Sequence, residues 1–169
     1  MIRTRAAELD GALLERAAEI YCACFNAPDK GENWTMETAK DYFRGLQKKD
    51  GLFWVIEQGG VFAGLCGGCP LEQSDIAADL DAEEADCFYY AVAAMAPEFQ
   101  GAGLGSRLFA DWVELMMAET DYHAAIGRCR ADNHAMRRIF LKNGFTEIKR
   151  YSAEMGGVIC DRVLLRRPF

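Results

Sequence analysis

Hydrophobic positions along the chain change their period several times, and each change marks an element. Ile2 to Arg5 predicts a short first strand, after which Leu13, Ala17, Ile20, Tyr21, Cys24 and Phe25 recur at the spacing of one helical face. Beyond a loop containing Pro28 and Gly31, Thr35 offers an N-cap oxygen. Met36, Ala39, Tyr42, Phe43 and Leu46 then mark a second amphipathic helix, stopped at Gly51. Leu52 to Glu57 and Val61 to Cys69 are rich in strand-favouring residues, and the Gln58-Gly59-Gly60 junction fits the tight turn of an antiparallel hairpin.

The segment from Leu71 to Asp86 loses this regularity and predicts a long loop or a short helical excursion. Cys87 to Ala96 is the next strand, ended by Pro97. From Gly103 onward, Leu104, Leu108, Trp112, Leu115 and Met116 give a long helix, followed by a strand at Ala124 to Cys129, so the three form a strand-helix-strand unit. Asp132 or Asn133 caps a further helix through Leu141, with Gly144 placed for a left-handed C-terminal cap. Phe145 to Met155 and Val158 to Leu165, joined by Gly156-Gly157, make a closing hairpin. No repeat, low-complexity tract or linker interrupts the order, which predicts a single domain over residues 1–169.

Composition narrows the function classes. The longest apolar stretches, such as Ala91 to Pro97, are far shorter than the roughly 20 residues that cross a bilayer. The N-terminus lacks the apolar core of a secretory signal, so a cytoplasmic location is expected. The seven cysteines are odd in number and sit mostly in apolar runs, which predicts reduced, buried thiols. Cys66-Gly-Gly-Cys69 has the spacing of a metal or redox pair, but no second pair and no His lies near it, and no metal is expected. A net charge of −7 argues against nucleic acid or anionic lipid as a partner. That charge is unevenly spread. Glu72 to Asp86 carries seven carboxylates and no base, whereas Arg107, Arg128, Arg130, Arg137, Arg138 and Lys142 make the following half locally basic, so an anionic ligand could bind there.

Candidate chemistry starts at Gln100-Gly101-Ala102-Gly103-Leu104-Gly105-Ser106, between a strand and a helix. Several backbone N–H groups converge at such a helix start, and glycine at 101, 103 and 105 removes the Cβ atoms that would hold a phosphate off the main chain. A purely structural turn has the same pattern. The dinucleotide fingerprint fails at Ser106, and no Gly-Lys-Ser/Thr follows for a nucleoside triphosphate.

The flanks are more specific. Met95-Ala96-Pro97-Glu98-Phe99-Gln100-Gly101-Ala102-Gly103-Leu104-Gly105 resembles the acyl-CoA signature of the GNAT superfamily, with its Gln/Arg-x-x-Gly-x-Gly/Ala core. Asn133 to Phe145 resembles the second block of that family, which ends in Gly-Phe. The resemblance implies a mixed α/β (α+β) fold, with a central, mostly antiparallel mixed sheet of about seven strands flanked by about four helices. It also implies that the loop amides of Gln100, Gly101, Ala102, Gly103, Leu104, Gly105 and Ser106 hold the pyrophosphate of acetyl-CoA or another acyl-CoA. The main chain around Ala93 and Met95 would bind the pantetheine arm as a pseudo-strand, with Asn133 and Phe140 alongside. Asn133 is equally suited to capping its helix.

The implied activity is transfer of an acetyl group to a primary amine of a small molecule or peptide, and here the chain departs from the family pattern. Members often carry a carboxylate on the strand before the glycine loop, where this chain has Tyr89, with Cys87 two residues earlier. Glu83, Glu84 and Asp86 precede that strand and are candidate bases, Asp86 foremost, while Glu98 follows it. Phe140 stands where many members place a tyrosine that protonates the departing thiolate. Tyr89, Tyr90, Tyr122, Tyr151 or water are the candidate substitutes. These departures keep open a non-catalytic acyl-CoA sensor. Trp34, in the loop before the second helix, is the candidate pocket aromatic, and a free sheet edge could support a homodimer.

Overall fold

The computed structural model describes residues 1–80 and 86–169. Its strands are β1 (Ile2–Ala6), β2 (Leu52–Gln58), β3 (Val61–Pro70), β4 (Cys87–Met95), β5 (Ala124–Arg130), β6 (Thr146–Met155) and β7 (Val158–Pro168). Its α-helices are α1 (Gly11–Phe25), α2 (Met36–Gln47), α3 (Leu104–Glu119) and α4 (His134–Lys142). The strands form one sheet in the order β1-β2-β3-β4-β5-β7-β6, antiparallel throughout except for the parallel pair β4–β5. A parallel pair needs a crossover, and α3 supplies it.

Helices cover both faces of this sheet, so its central strands are apolar on both sides. In β2, Phe53 and Val55 join the cluster under α1 and α2, while Trp54 and Ile56 join the cluster under α3 and α4. The same alternation separates Cys66 from Cys69, which enter opposite clusters from β3. Their sequence spacing therefore reflects packing on two faces rather than a pair. Thr35 and Thr38 close a capping box at the start of α2, and Asn133 accepts the Met136 amide at the start of α4.

Among its described residues the acidic segment holds two short 3-10 turns, Leu71–Gln73 and Ala77–Asp79, and it buries Leu71 and Ile76 in the α1/α2 cluster. Strand β7 runs three residues past the end of its apolar pattern, because Arg166, Arg167 and Pro168 continue the ladder with Ile126, Ala125 and Ala124. No helix among the described residues is long and apolar enough to cross a membrane.

One irregularity shapes the centre of the sheet. Gly67 pairs with Val92 and Gly68 with Tyr90, so Ala91 is an extra residue in β4, a β-bulge. The bulge shifts the side-chain phase: Tyr89 and Val92 both enter the α1/α2 cluster. It also coincides with the end of the parallel ladder, whose last rung is Tyr90 with Gly127. Past that rung β4 follows β3 and leaves β5. Gly68 makes the bulge possible, since a Cβ there would collide with the Tyr89 carbonyl oxygen and crowd the Ala91 nitrogen. Both obstacles are backbone and cannot rotate away. Gly68→Ala should therefore cost about 1–3 kcal/mol, the range for overpacking a core, read as a lowered urea midpoint; an unchanged midpoint would mean that the bulge accommodates a side chain.

Candidate functional site

Where β4 and β5 part, a cleft of about 650 Å³ opens on the α1/α2 side. One wall is aromatic: the Tyr21 ring lies 4.6 Å from Phe25, 4.8 Å from Trp34 and 5.2 Å from Tyr42, centroid to centroid. Trp34 thus stands on the cleft wall, and its indole N–H donates to Glu32 at 3.2 Å. The opposite wall is set by the sheet. Tyr89 of β4 lies beneath Arg128 of β5, whose guanidinium carbon is 6.0 Å from the ring centroid. Arg128 also pairs with Asp75 at 3.2 Å, so among the described residues of the acidic segment Asp75 is the carboxylate that reaches the cleft. Burial opposes the charge on Arg128, but Tyr89, Tyr151 and Asp75 outweigh it and hold the group protonated.

The parted edge of β4 finds substitutes for a strand. Tyr42 donates its hydroxyl to the Ala91 carbonyl at 3.4 Å, while the Gln100 side-chain amide donates to the Met95 carbonyl at 2.9 Å. The Cys24 thiol reaches the same Met95 carbonyl at 3.2 Å. Backbone groups that lose a ladder partner must be paired elsewhere, and side chains from α1, α2 and the glycine loop do this here. Of the two positions expected to hold an arm, Met95 has its carbonyl engaged, while Ala93 lines the cleft.

The glycine loop follows a 3-10 turn at Pro97–Phe99. Gly101 and Gly103 have φ of +80° and +78°, a conformation that disfavours other residues, and a Cβ on either would meet nothing within 4 Å. Open space therefore lies directly over the main chain. No side chain caps α3, and its first helical bond runs from the Arg107 amide to the Gly103 carbonyl at 3.1 Å. The amides of Leu104, Gly105 and Ser106 thus start the helix without an intrahelical acceptor, at the positive end of its dipole. Gly101, Ala102, Gly103 and Ser106 are exposed, whereas the Leu104 side chain is 3% exposed and anchors the loop in the core. Glu98 pairs with Arg16 of α1 at 2.6 Å, so that carboxylate is engaged at the surface.

The remaining predicted residues fall on different sides of the parting. Asn133 caps α4 through its side-chain oxygen, 3.0 Å from the Met136 amide, and also lines the cleft. Phe140 is buried with its ring 5.2 Å from Phe109 and 5.0 Å from Phe145, and it packs on Gly127, the last rung of the β4–β5 ladder. It approaches the parting from the α3/α4 face, Tyr89 from the other. Asp86 is exposed, its carbonyl accepts the His123 amide at 3.1 Å, and its side chain is not on the cleft wall; the structure does not bring it to Tyr89. Glu83 and Glu84 lie outside the described residues. Sequence patterns gave no reason to single out Glu32, Asp75 or Arg162, which also line the cleft. For Arg128 and Arg130 the signal was their alternation along β5, which puts both on one face.

Among known proteins, residues 14–145 match the model of the acetyltransferase (GNAT) family. No curated relative matches the chain in sequence. Solved structures share its fold. A ribosomal-protein-alanine N-acetyltransferase from Brucella melitensis superposes with a TM-score of 0.77 at 17% identity, covering 99% of each chain. The yncA protein of Salmonella typhimurium, solved with its cofactor acetyl-CoA, gives 0.75 at 17% identity, over 99% of this chain and 93% of the other. The ribosomal-protein-S18-alanine N-acetyltransferase of Escherichia coli gives 0.70 at 18% identity, over 98% and 94%.

Burial pushes the Tyr89 phenol up to about 12, against the pull of Arg128 in the other direction. At neutral pH the hydroxyl is therefore a proton donor and not a base. The raised value favours the neutral form in the native state, so its contribution to stability is present below the ordinary tyrosine value of 10.0 and is lost as pH rises toward 12. The phenolate absorbance of the wild type minus that of Tyr89→Phe should stay flat through pH 10; a half-complete step there would show an unshifted hydroxyl.

Proposed function

The chain belongs to the acetyltransferase (GNAT) family, and from that membership we propose that it is a single-domain, acyl-CoA-dependent N-acyltransferase that moves an acetyl group to a primary amine of a small molecule or peptide. The observation that carries this is the occurrence of three features around the end of β4: the uncapped start of α3, open space over Gly101 and Gly103, and a β4 edge that leaves its neighbour within a cleft. Free amides at a helix start suit a pyrophosphate, and a parted strand edge suits the amide-bearing pantetheine arm. In this assignment the loop from Gln100 to Ser106 holds the phosphates, the main chain near Ala93 and Met95 lies along the arm, and Asn133 and Phe140 flank it. The neighbour solved with acetyl-CoA supports the choice of co-substrate.

Acetyl-CoA supplies an acyl group already activated as a thioester. What the chain must add is a neutral nucleophile and a proton for the departing sulfur. An alkylamine with pKa near 10.4 is mostly protonated at neutral pH. Glu32, half-buried on the cleft wall and oriented by Trp34, is the carboxylate assigned to take that proton, directly or through water. As the new N–C bond forms and the C–S bond breaks, Tyr89 donates from the acceptor side, a role its neutral phenol suits and the Phe140 ring cannot fill. Phe140 instead packs the coenzyme side of the parting through its contact with Gly127.

Gly103→Val places a branched side chain in the open space over the loop and forces a left-handed φ on it. Calorimetry should show acetyl-CoA affinity reduced by at least about tenfold in a protein that remains folded, which corresponds to roughly 1.4 kcal/mol. Unchanged affinity would remove the loop from the site. Catalysis is tested separately, by thiol release when acetyl-CoA meets a library of primary amines. An active amine is expected, with turnover about 10²-fold lower in Tyr89→Phe at unchanged coenzyme affinity. Tight coenzyme binding with no release from any amine would favour the sensor, a reading that the apolar surroundings of Phe140 support.

A further inference from the structure

Among the described residues Arg162 is the one buried charged side chain, 8% exposed, and it has no carboxylate partner there. Its Nη2 lies 3.5 Å from the thioether sulfur of Met155, a weak acceptor for a guanidinium. A guanidinium cannot avoid burial by shedding its proton, so native proteins normally pair such a group. The neighbouring arginines follow that rule. Arg130 holds Asp132 through two bonds of 2.9 and 2.7 Å, and Arg128 holds Asp75 at 3.2 Å. Arg162 also lies directly across the ladder from Arg130, where like charges repel unless an anion sits between them or beside them.

All three arginines line the cleft, and Arg162 does so from β7, beyond the Tyr89 side of the parting. Met155, the one side-chain partner of Arg162 among the described residues, packs through its main chain against Gly31, next to Glu32. A buried cation and a half-buried carboxylate therefore share one end of the cleft, with the aromatic wall of Tyr21, Phe25 and Trp34 beside them. A volume of about 650 Å³ lies in the range of small-molecule sites.

We infer that Arg162 is a specificity-determining residue that receives the carboxylate of a zwitterionic acceptor, an α-amino acid with an apolar or aromatic side chain. The planar fork of the guanidinium matches a carboxylate in a way that a thioether sulfur does not. Glu32 faces the ammonium end of the same molecule, and the aromatic wall takes its side chain. A polyamine leaves Arg162 unpaired, and so does the N-terminus of a long peptide, whose first carboxyl is already an amide. The inference rests on the proposed function only in taking this cleft as the acceptor side.

The test compares L-leucine and L-phenylalanine with their carboxamides, which keep the shape and lose the charge. Binding to the CoA-saturated protein is measured by calorimetry, alongside thiol release from acetyl-CoA. The acids should bind about 10- to 100-fold more tightly than the amides, the range for a hydrogen-bonded charged group. Arg162→Met should abolish that preference while CoA affinity stays at the wild-type value. Should Arg162→Met fail to fold, Arg162→Lys keeps the charge without the fork and should lose most of the preference. Equal binding of acids and amides, a preference that survives in the folded Arg162 variants, or no binding of either acid would overturn the inference. The acyltransfer assignment falls separately: a carboxylate preference without thiol release removes it alone, while equal release from acids and amides leaves it and removes the role of Arg162.

Discussion

Everything distinctive about this protein depends on β4 leaving β5 after one shared stretch of four rungs, Cys87–Ala124 to Tyr90–Gly127. A parallel pair that separates exposes backbone acceptors on a central strand, where a sheet would normally satisfy them. The separation persists because it is built in on both sides. Ala91 bulges out of β4 against a glycine that tolerates its approach, and the freed carbonyls of Ala91 and Met95 are taken up by Tyr42, Gln100 and Cys24. The edge is thus paired without being closed, and Ala93 between those carbonyls stays on the cleft wall.

The parting also sorts the chemistry. One side has the helix start with free amides and open space over two left-handed glycines, suited to phosphate. The other side has buried tyrosines, a row of arginines from β5 and β7, and the carboxylates Glu32 and Asp75. The bulge sets which side chain faces which side, since it places Tyr89 and Val92 on the same face although they lie three positions apart.

Much of the fold was legible because local periods and caps agree with the tertiary structure. The Thr35 cap, the glycine pairs of the two hairpins and the left-handed Gly144 each fall where turn chemistry puts them. The end of β7 was hidden because Arg166 and Arg167 break the apolar pattern while their backbone continues the ladder. The bulge was hidden as well, because Phe88 to Met95 is apolar at nearly every position and carries no phase to read. In the candidate site, the glycine loop could be read from a contiguous motif. Glu32, Asp75, Arg128 and Arg162 come from four separate parts of the chain, and only sheet order brings them to one cleft. For that reason the acidic segment offered Asp86 as a candidate, whereas Asp75 is its residue at Arg128.

Helix α1 has a position whose effect reaches both sides. Tyr21 and Phe25 form part of the aromatic wall, and Cys24, between them in the same turn, bonds the Met95 carbonyl that Gln100 of the glycine loop also holds. Nearer its start, Arg16 grips Glu98 just ahead of that loop. The helix is therefore a common strut: it cannot tilt to admit a larger guest beside Tyr21 without either breaking these links or dragging the glycine loop with it. Pocket size on one side and loop position on the other are set by one rigid body, so enlarging the first by moving α1 would deform the second.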